Sequence, residues 1–178
     1  VRVTVPKQQC CGMPFLDTGD LKPALKKIRS NLSNLAAAVQ NGYEIVVPSP
    51  TCSYTIKQEY PSLVPSEEAR LVAEHTFDIS EFLWKRKEEG ALNTQFNNTL
   101  FNEKVRTVAY HVPCHTRAQF MGNKGAALVG SIPDIRVVQI ERCSGHDGTW
   151  GIKKNSHPLS LKYGGKLFDE LRDAEAEL

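Results

Sequence analysis

The sequence predicts an α/β fold: two pseudo-repeated βαβ units with mainly parallel sheets, and cysteine loops at the carboxyl ends of strands. Three observations carry this expectation. Short β-branched runs alternate along the chain with stretches whose apolar residues recur every three or four positions, the rhythm of strands joined by crossover helices. Each cysteine follows a predicted strand, where open parallel sheets collect their ligands. A strand-to-cysteine unit also occurs twice, as Val3-Thr4-Val5 leading to Cys10-Cys11-Gly12 and as Val137-Val138-Gln139 leading to Cys143-Ser144-Gly145.

The elements follow in order. Val1 to Val5 alternates like a strand, and Pro6 to Asp20 is a loop carrying Cys10-Cys11-Gly12-Met13-Pro14. Leu25, Ile28, Leu32, Leu35 and Val39 share one helical face, and Asn41-Gly42 ends that helix. Glu44 to Val47 is a short buried strand, and Pro48-Ser49-Pro50-Thr51-Cys52 turns it into a helix running towards Tyr60-Pro61. Ser66 opens a helix over Glu68 to Glu74, Asp78 another over Phe82 to Lys87, and the polar stretch Asn93 to Glu103 shows no clear pattern. Val105 and Thr107 to Val112 form a strand ending in Pro113-Cys114-His115, Arg117 to Val129 a helix, Ile135 to Ile140 a strand, and Leu159 to Leu178 a mostly helical tail. The units are expected at 1–104, with a helical insert, and 105–178.

Composition removes several function classes. The 178 residues hold 22 basic and 20 acidic side chains, a net charge of +2, so nothing favours a polyanion and no nucleic-acid partner is expected. With 40% hydrophobic and 24% charged residues the chain is globular. Its apolar runs fall far short of the roughly 20 residues of a membrane helix, and no basic segment with an apolar stretch marks an export signal. A cytoplasmic setting is expected, and the start at Val1 suggests a trimmed chain. Five cysteines, an odd number, in a chain too large to depend on disulfide staples point to a reducing compartment. Adjacent Cys10 and Cys11 cannot bridge each other without strain, so metal-binding thiolates and plain buried thiols are the two readings of these residues.

Cys10-Cys11-Gly12-Met13-Pro14 and the spaced cysteines resemble the cysteine-rich CCG domain, which occurs twice in the B subunit of heterodisulfide reductase, in the C subunit of anaerobic glycerol-3-phosphate dehydrogenase and in the iron–sulfur subunits of glycolate and lactate oxidation. Tyr110-His111-Val112-Pro113-Cys114-His115, with Glu141-Arg142-Cys143-Ser144-Gly145-His146-Asp147-Gly148-Thr149-Trp150-Gly151, is most similar to heterodisulfide-reductase-related iron–sulfur proteins that bacteria often encode beside a rubrerythrin. The family pattern is an early cysteine, then Cys-Cys-Gly, then Cys-x-x-Cys. Against that pattern Ser49 stands where the Cys-x-x-Cys pair has its first cysteine, and Ser144 replaces the second cysteine of the second Cys-Cys-Gly. The counterpart of Cys52 would fall beyond Leu178 and that of Cys114 before Val1, so the first unit is expected to be incomplete at its N-terminus and the second at its C-terminus.

The resemblance implies a redox role: a subunit or domain of an iron–sulfur oxidoreductase, working by electron transfer or thiol/disulfide chemistry. It implies an unusual noncubane 4Fe-4S cluster, with zinc in one of the paired sites. The implied ligands are Cys10, Cys11 and Cys52 in the first loop, and Cys114 and Cys143 with His115 and His146 in the second; zinc and iron both accept such mixtures. His111 is expected to pack at a strand end, and Asp147 is either a ligand or a turn cap before Gly148. Serine is a harder and less acidic ligand than thiolate, so the two replacements predict that these residues hold no complete cluster, and that any metal is mononuclear. No Gly-x-Gly-x-x-Gly or Walker loop is present, so electrons are expected from an electron-donor or flavoprotein subunit, which also provides any peripheral attachment to a membrane. The rival reading is a zinc-stabilised binding or scaffolding module without turnover. A thiol hydrolase using Cys143 and His146 ranks third, since it needs a pocket and an oxyanion hole.

Overall fold

A computed structural model describes residues 1–96 and 106–177. Val105 and the polar stretch from Asn97 to Glu103 lie outside the described residues. The chain divides into two compact units, Val1–Ile79 and Ser80–Leu178.

In the first unit a short helix α1 (Met13–Leu16) precedes the long α2 (Leu21–Gln40). Ala24, Ile28, Leu32, Leu35, Ala36 and Val39 form the buried stripe of α2. The helix stops in a Schellman arrangement: the Gly42 amide donates to the Val39 carbonyl and the Tyr43 amide to the Ala38 carbonyl. Gly42 has φ +80°, which its missing Cβ permits. Strand β1 (Ile45–Val47) follows, then one continuous helical run: α3 (Pro50–Tyr54), a π turn (Thr55–Glu59) and α4 (Tyr60–Leu63). Ser66 caps α5 (Glu67–Glu74) by accepting from the Ala69 amide. Strand β2 (Thr76–Asp78) pairs in parallel with β1, Ile45 opposite Thr76 and Val47 opposite Asp78. This is a βαβ unit. Its core joins Ile28, Leu32, Leu35, Ala36 and Val39 to Ile45, Val47, Ile56, Tyr60, Ala69 and Val72.

The second unit opens with α6 (Ile79–Glu88), whose first residue belongs to the preceding unit. Strand β3 (Arg106–His111) pairs in parallel with β4 (Ile135–Ile140), from Arg106 opposite Ile135 to His111 opposite Ile140. Helices α7 (Cys114–Ala118) and α8 (Lys124–Val129) form the crossover, and α9 (His157–Asp173) lies against β4. The α/β class with parallel pairing is therefore present in both units.

Several expected elements differ. Val1–Val5 forms no strand: Val1, Val3 and Val5 are 94, 81 and 78% exposed. Alternation makes a strand only where one face is buried and an edge is paired, and neither condition holds here. The single helix expected over Arg117 to Val129 is two, because Phe120 (φ +54°) and Gly122 (φ +72°) adopt left-handed backbone that no α-helix continues through. Strand β2 lay hidden in Thr76-Phe77-Asp78, too short to show a period. Trp84 is only half-buried on α6, where Lys87 and Lys124 lie over its ring at 4.5 and 5.1 Å and its indole N–H donates to Glu88.

Candidate functional site

The first cysteine loop leaves the Val1–Pro6 segment and turns at Gly12, whose φ of +102° is glycine backbone and lets the chain lie on the first turns of α2 beside Ala24 and Ile28. Cys52 comes from the next strand end: Val47 closes β1, Ser49 precedes α3 with extended backbone, and Pro50 starts the helix with a ring that needs no amide partner. Cys10 is exposed, Cys11 buried and Cys52 half-buried.

The Cys11 thiol donates a hydrogen bond to the Cys52 sulfur, and the Ser49 hydroxyl donates a second. The first bond, supported by Ser49 and opposed by burial and by nearby Cys10, draws Cys52 from the usual thiol range down to about 6. Its donor, Cys11, is pushed the other way: giving its proton to Cys52, together with burial, holds it protonated well above the ordinary thiol range. The pair therefore carries one proton and one negative charge around neutrality. Cys10, Cys11, Ser49 and Cys52 all border one cavity of about 650 Å³, walled largely by apolar residues such as Leu35, Ile45, Val47 and Ile56.

In the second unit His111 faces Ile140 in the sheet register, and Cys114 and Cys143 each follow three residues beyond those partners. Both are exposed. Cys114 starts α7, while the Cys143 sulfur accepts the Gly145 amide at 3.3 Å. His111 does structural work at the strand end: its Nε2 lies 2.8 Å from the Arg142 carbonyl and ties β3 to the cysteine loop. His115 is half-buried on α7, with its carbonyl accepting from Gln119 at 3.1 Å. His146 is exposed, and Asp147 adopts φ +43° with its carbonyl accepting from the Trp150 amide at 3.0 Å, a turn-forming position. Ser144 receives the His146 amide at 3.4 Å. A cavity of about 360 Å³ lies beside Cys143, bordered by Arg142, Lys162 and Lys166.

The structure thus brings Cys11 and Cys52 together and puts Cys10 on the same cavity. Among the described residues no three of Cys, His, Asp and Glu stand in a metal-holding arrangement in either unit. The donor chemistry still suits a thiophilic metal or cluster. Two sulfurs converge, one already favours the thiolate that ligation requires, and the Gly145 amide points at the Cys143 sulfur, as hydrogen bonds to cluster ligands do.

Two residues at the first site were not anticipated. Asn31 on α2 accepts from the Gln9 amide (2.8 Å) and donates to the Gln9 and Cys10 carbonyls (3.2 Å each) and to the Tyr60 hydroxyl (3.0 Å). Tyr60 donates to the Cys11 carbonyl at 3.0 Å. The sequence held one signal: Asn31 is a polar residue set into the apolar stripe between Ile28 and Leu35.

Comparison with known proteins meets this geometry at its first loop. Residues 1–57 match the family of the cysteine-rich domain, CCG. Over nearly its whole length the chain is similar to the C subunit of anaerobic glycerol-3-phosphate dehydrogenase from Escherichia coli (strain K12), 28% identical over 175 residues, covering 97% of this chain and 42% of that protein. It is also similar to the B subunit of fumarate reductase (CoM/CoB) from Methanothermobacter marburgensis, 29% identical over 176 residues, with 96% of this chain and 31% of that protein covered. Lactate utilization protein A of Bacillus pumilus is 26% identical over 163 residues, 86% of this chain and 63% of that protein. The chain spans less than half the length of the dehydrogenase and fumarate reductase subunits. No solved structure matches it. Among the described residues no helix is long and apolar enough to cross a membrane.

Proposed function

We propose that this chain is the cysteine-rich part of an iron–sulfur electron-transfer or thiol/disulfide redox subunit of heterodisulfide-reductase-related type. The observation that carries the reading is the meeting of the Cys11 and Cys52 sulfurs beyond β1, within the segment that matches the CCG domain. The similar proteins are named as subunits of a dehydrogenase and of a fumarate reductase, which supports a redox role with partner subunits. Cys10, Cys11 and Cys52 would hold the metal group at the first site; Cys114 and Cys143, with His115 and His146, would serve the second. A bound iron–sulfur cluster supplies one-electron transfer with little rearrangement of its surroundings. The chain's own part is to fix the sulfurs, to keep Cys52 ready as a thiolate, and to border them with apolar wall that limits water.

The two units are proposed to be a duplication. Gly12 lies on Ala24 and Ile28 of α2, while Gly145 lies on Ser160 and Gly164 of α9, in each case across one helical turn. This shared placement of a loop glycine on a helix supports the duplication, whereas the strand expected at Val3 to Val5, which would have matched β4, is not formed.

A zinc-stabilised module is the second reading. It is favoured by Ser49, which donates a hydrogen bond to Cys52 and does not extend the set of sulfurs. Anaerobic purification of the full-length protein, with iron, acid-labile sulfide and zinc determined together, separates the two. Iron with matching sulfide, lost in C11S and C52S, is the expected result. Zinc without sulfide would replace the redox reading with the module.

A further inference from the structure

We propose that Asn31 and Tyr60 are positioning residues that set the Cys11 sulfur against Cys52, and that the π turn at Thr55–Glu59 exists to bring Tyr60 to that task. The proposal rests on the reading of these cysteines as the functional site, and it names how the fold tunes them.

The hydrogen bonds converge on three consecutive carbonyls. Asn31 serves those of Gln9 and Cys10 and also receives the Gln9 amide, while Tyr60 serves that of Cys11. The Asn31 amide nitrogen is joined to the Tyr60 hydroxyl, so the two act as one bracket across the loop. Asn31 is 3% exposed and Tyr60 fully buried, so water does not replace a lost partner. A cysteine loop has no ladder of its own; without these bonds its backbone would need water and its sulfurs would have no set distance.

Helical phase explains the π turn. Cys52 and Tyr60 lie on one uninterrupted helical run from Pro50 to Leu63. Two α-turns take about 7 residues, which would leave positions 52 and 60 off-phase. The wider i→i+5 turn takes up about one residue more, which returns Tyr60 to the face of Cys52. From that one face Cys52 receives the Cys11 thiol and Tyr60 donates to the Cys11 carbonyl. π turns are frequent at functional sites for this kind of reason.

The test uses the full-length protein with metal removed under anaerobic conditions and dibromobimane, which becomes fluorescent when it bridges two nearby thiols. Every cysteine other than Cys11 and Cys52, Cys10, Cys114 and Cys143 among them, is replaced by serine so that Cys11 and Cys52 are the pair read. Y60F keeps the ring in the core and deletes the hydroxyl; N31D keeps the shape but turns the donor end of Asn31 into an acceptor facing oxygens. V72A is the control, because Val72 is fully buried in the same core as Tyr60 yet its apolar side chain makes none of the loop's hydrogen bonds. Bridging is expected to slow by about fivefold in Y60F and more in N31D, on the scale of one or two buried hydrogen bonds, with V72A near wild type. Equal rates in wild type, Y60F and N31D would overturn the proposal, and so would an equal drop in V72A, which would mean general loosening. Absence of iron from the full-length protein would defeat the cluster reading and leave this result standing.

Discussion

Replacing Ser49 by alanine tests whether the serine at the family's cysteine position has become a device for holding Cys52 ionised. Cys52 sits near 6 through hydrogen bonds from the Cys11 thiol and, second among the favourable causes, the Ser49 hydroxyl. A hydrogen bond to a charged acceptor contributes about 1.5–3 kcal/mol when buried. Here the sulfur is half-buried and opens on the cavity, so solvent reduces the effect to about 1.4 kcal/mol, or roughly one pKa unit. The assay is the pH dependence of iodoacetamide alkylation in metal-free protein carrying C10S, C114S and C143S. Alkylation follows the thiolate, which is present above the Cys52 pKa and lost as pH falls through it. The inflection is expected at about 6 in the parent and about one unit higher in S49A. C11A, which deletes the larger cause, should raise it further. An inflection that does not move in S49A, or a shift in S49A exceeding that in C11A, would refute the assignment of the two donors.

The same pair predicts a pH optimum of stability. From about 6 up to the ordinary thiol value of 9.0 the unfolded chain binds one more proton than the folded pair, so stability rises with pH; above 9.0 the still-protonated Cys11 reverses the difference and stability falls. Thermal midpoints of metal-free protein should therefore peak near the unperturbed thiol value, and the peak should flatten in the double variant C11A/C52A; an unchanged profile would sink the linkage. Close packing of the second loop on α9 makes a separate prediction. G145A should cost about 1–2 kcal/mol for its left-handed φ and about 1–3 kcal/mol more for overpacking, because a Cβ there would press on the Ser160 carbonyl. Gly19 has nearly the same φ, +74°, with open space around it, so G19A should show the first cost alone; chemical denaturation with equal losses in the two variants would exclude the close approach.

The sequence made the helices and the second sheet legible because their signals are local. The α2 stripe is read from spacing, its end from Asn41-Gly42, and β4 from a run rich in β-branched residues. Val1 to Val5 misled because alternation records a capacity for pairing, not a partner. Phe120 was invisible as a break, since a bulky aromatic residue carries no signal for left-handed backbone. For the site, cysteine spacing and family resemblance singled out the five cysteines, of which the structure brings Cys11 and Cys52 together, but not the unequal states of that pair. That inequality depends on which thiol donates to which, and the choice is made by burial of Cys11 and by a hydroxyl on Ser49, both set by tertiary structure.

Ser49 and Ser144 look equivalent as departures from a cysteine pattern, yet the structure gives them different chemistry. Ser49 directs its hydroxyl at the Cys52 sulfur, where it favours the charged form. Ser144 accepts the His146 amide, and its carbonyl lies where α9 passes at Gly164, so it serves the loop's backbone. At the first position the serine is itself a donor that favours thiolate character on Cys52. At the second the donor to Cys143 is the Gly145 amide, a main-chain group whose direction depends on the left-handed glycine. Substitution at Ser49 should therefore alter sulfur ionisation with little effect on folding, whereas the second loop's influence on its sulfur is inseparable from its packing on α9.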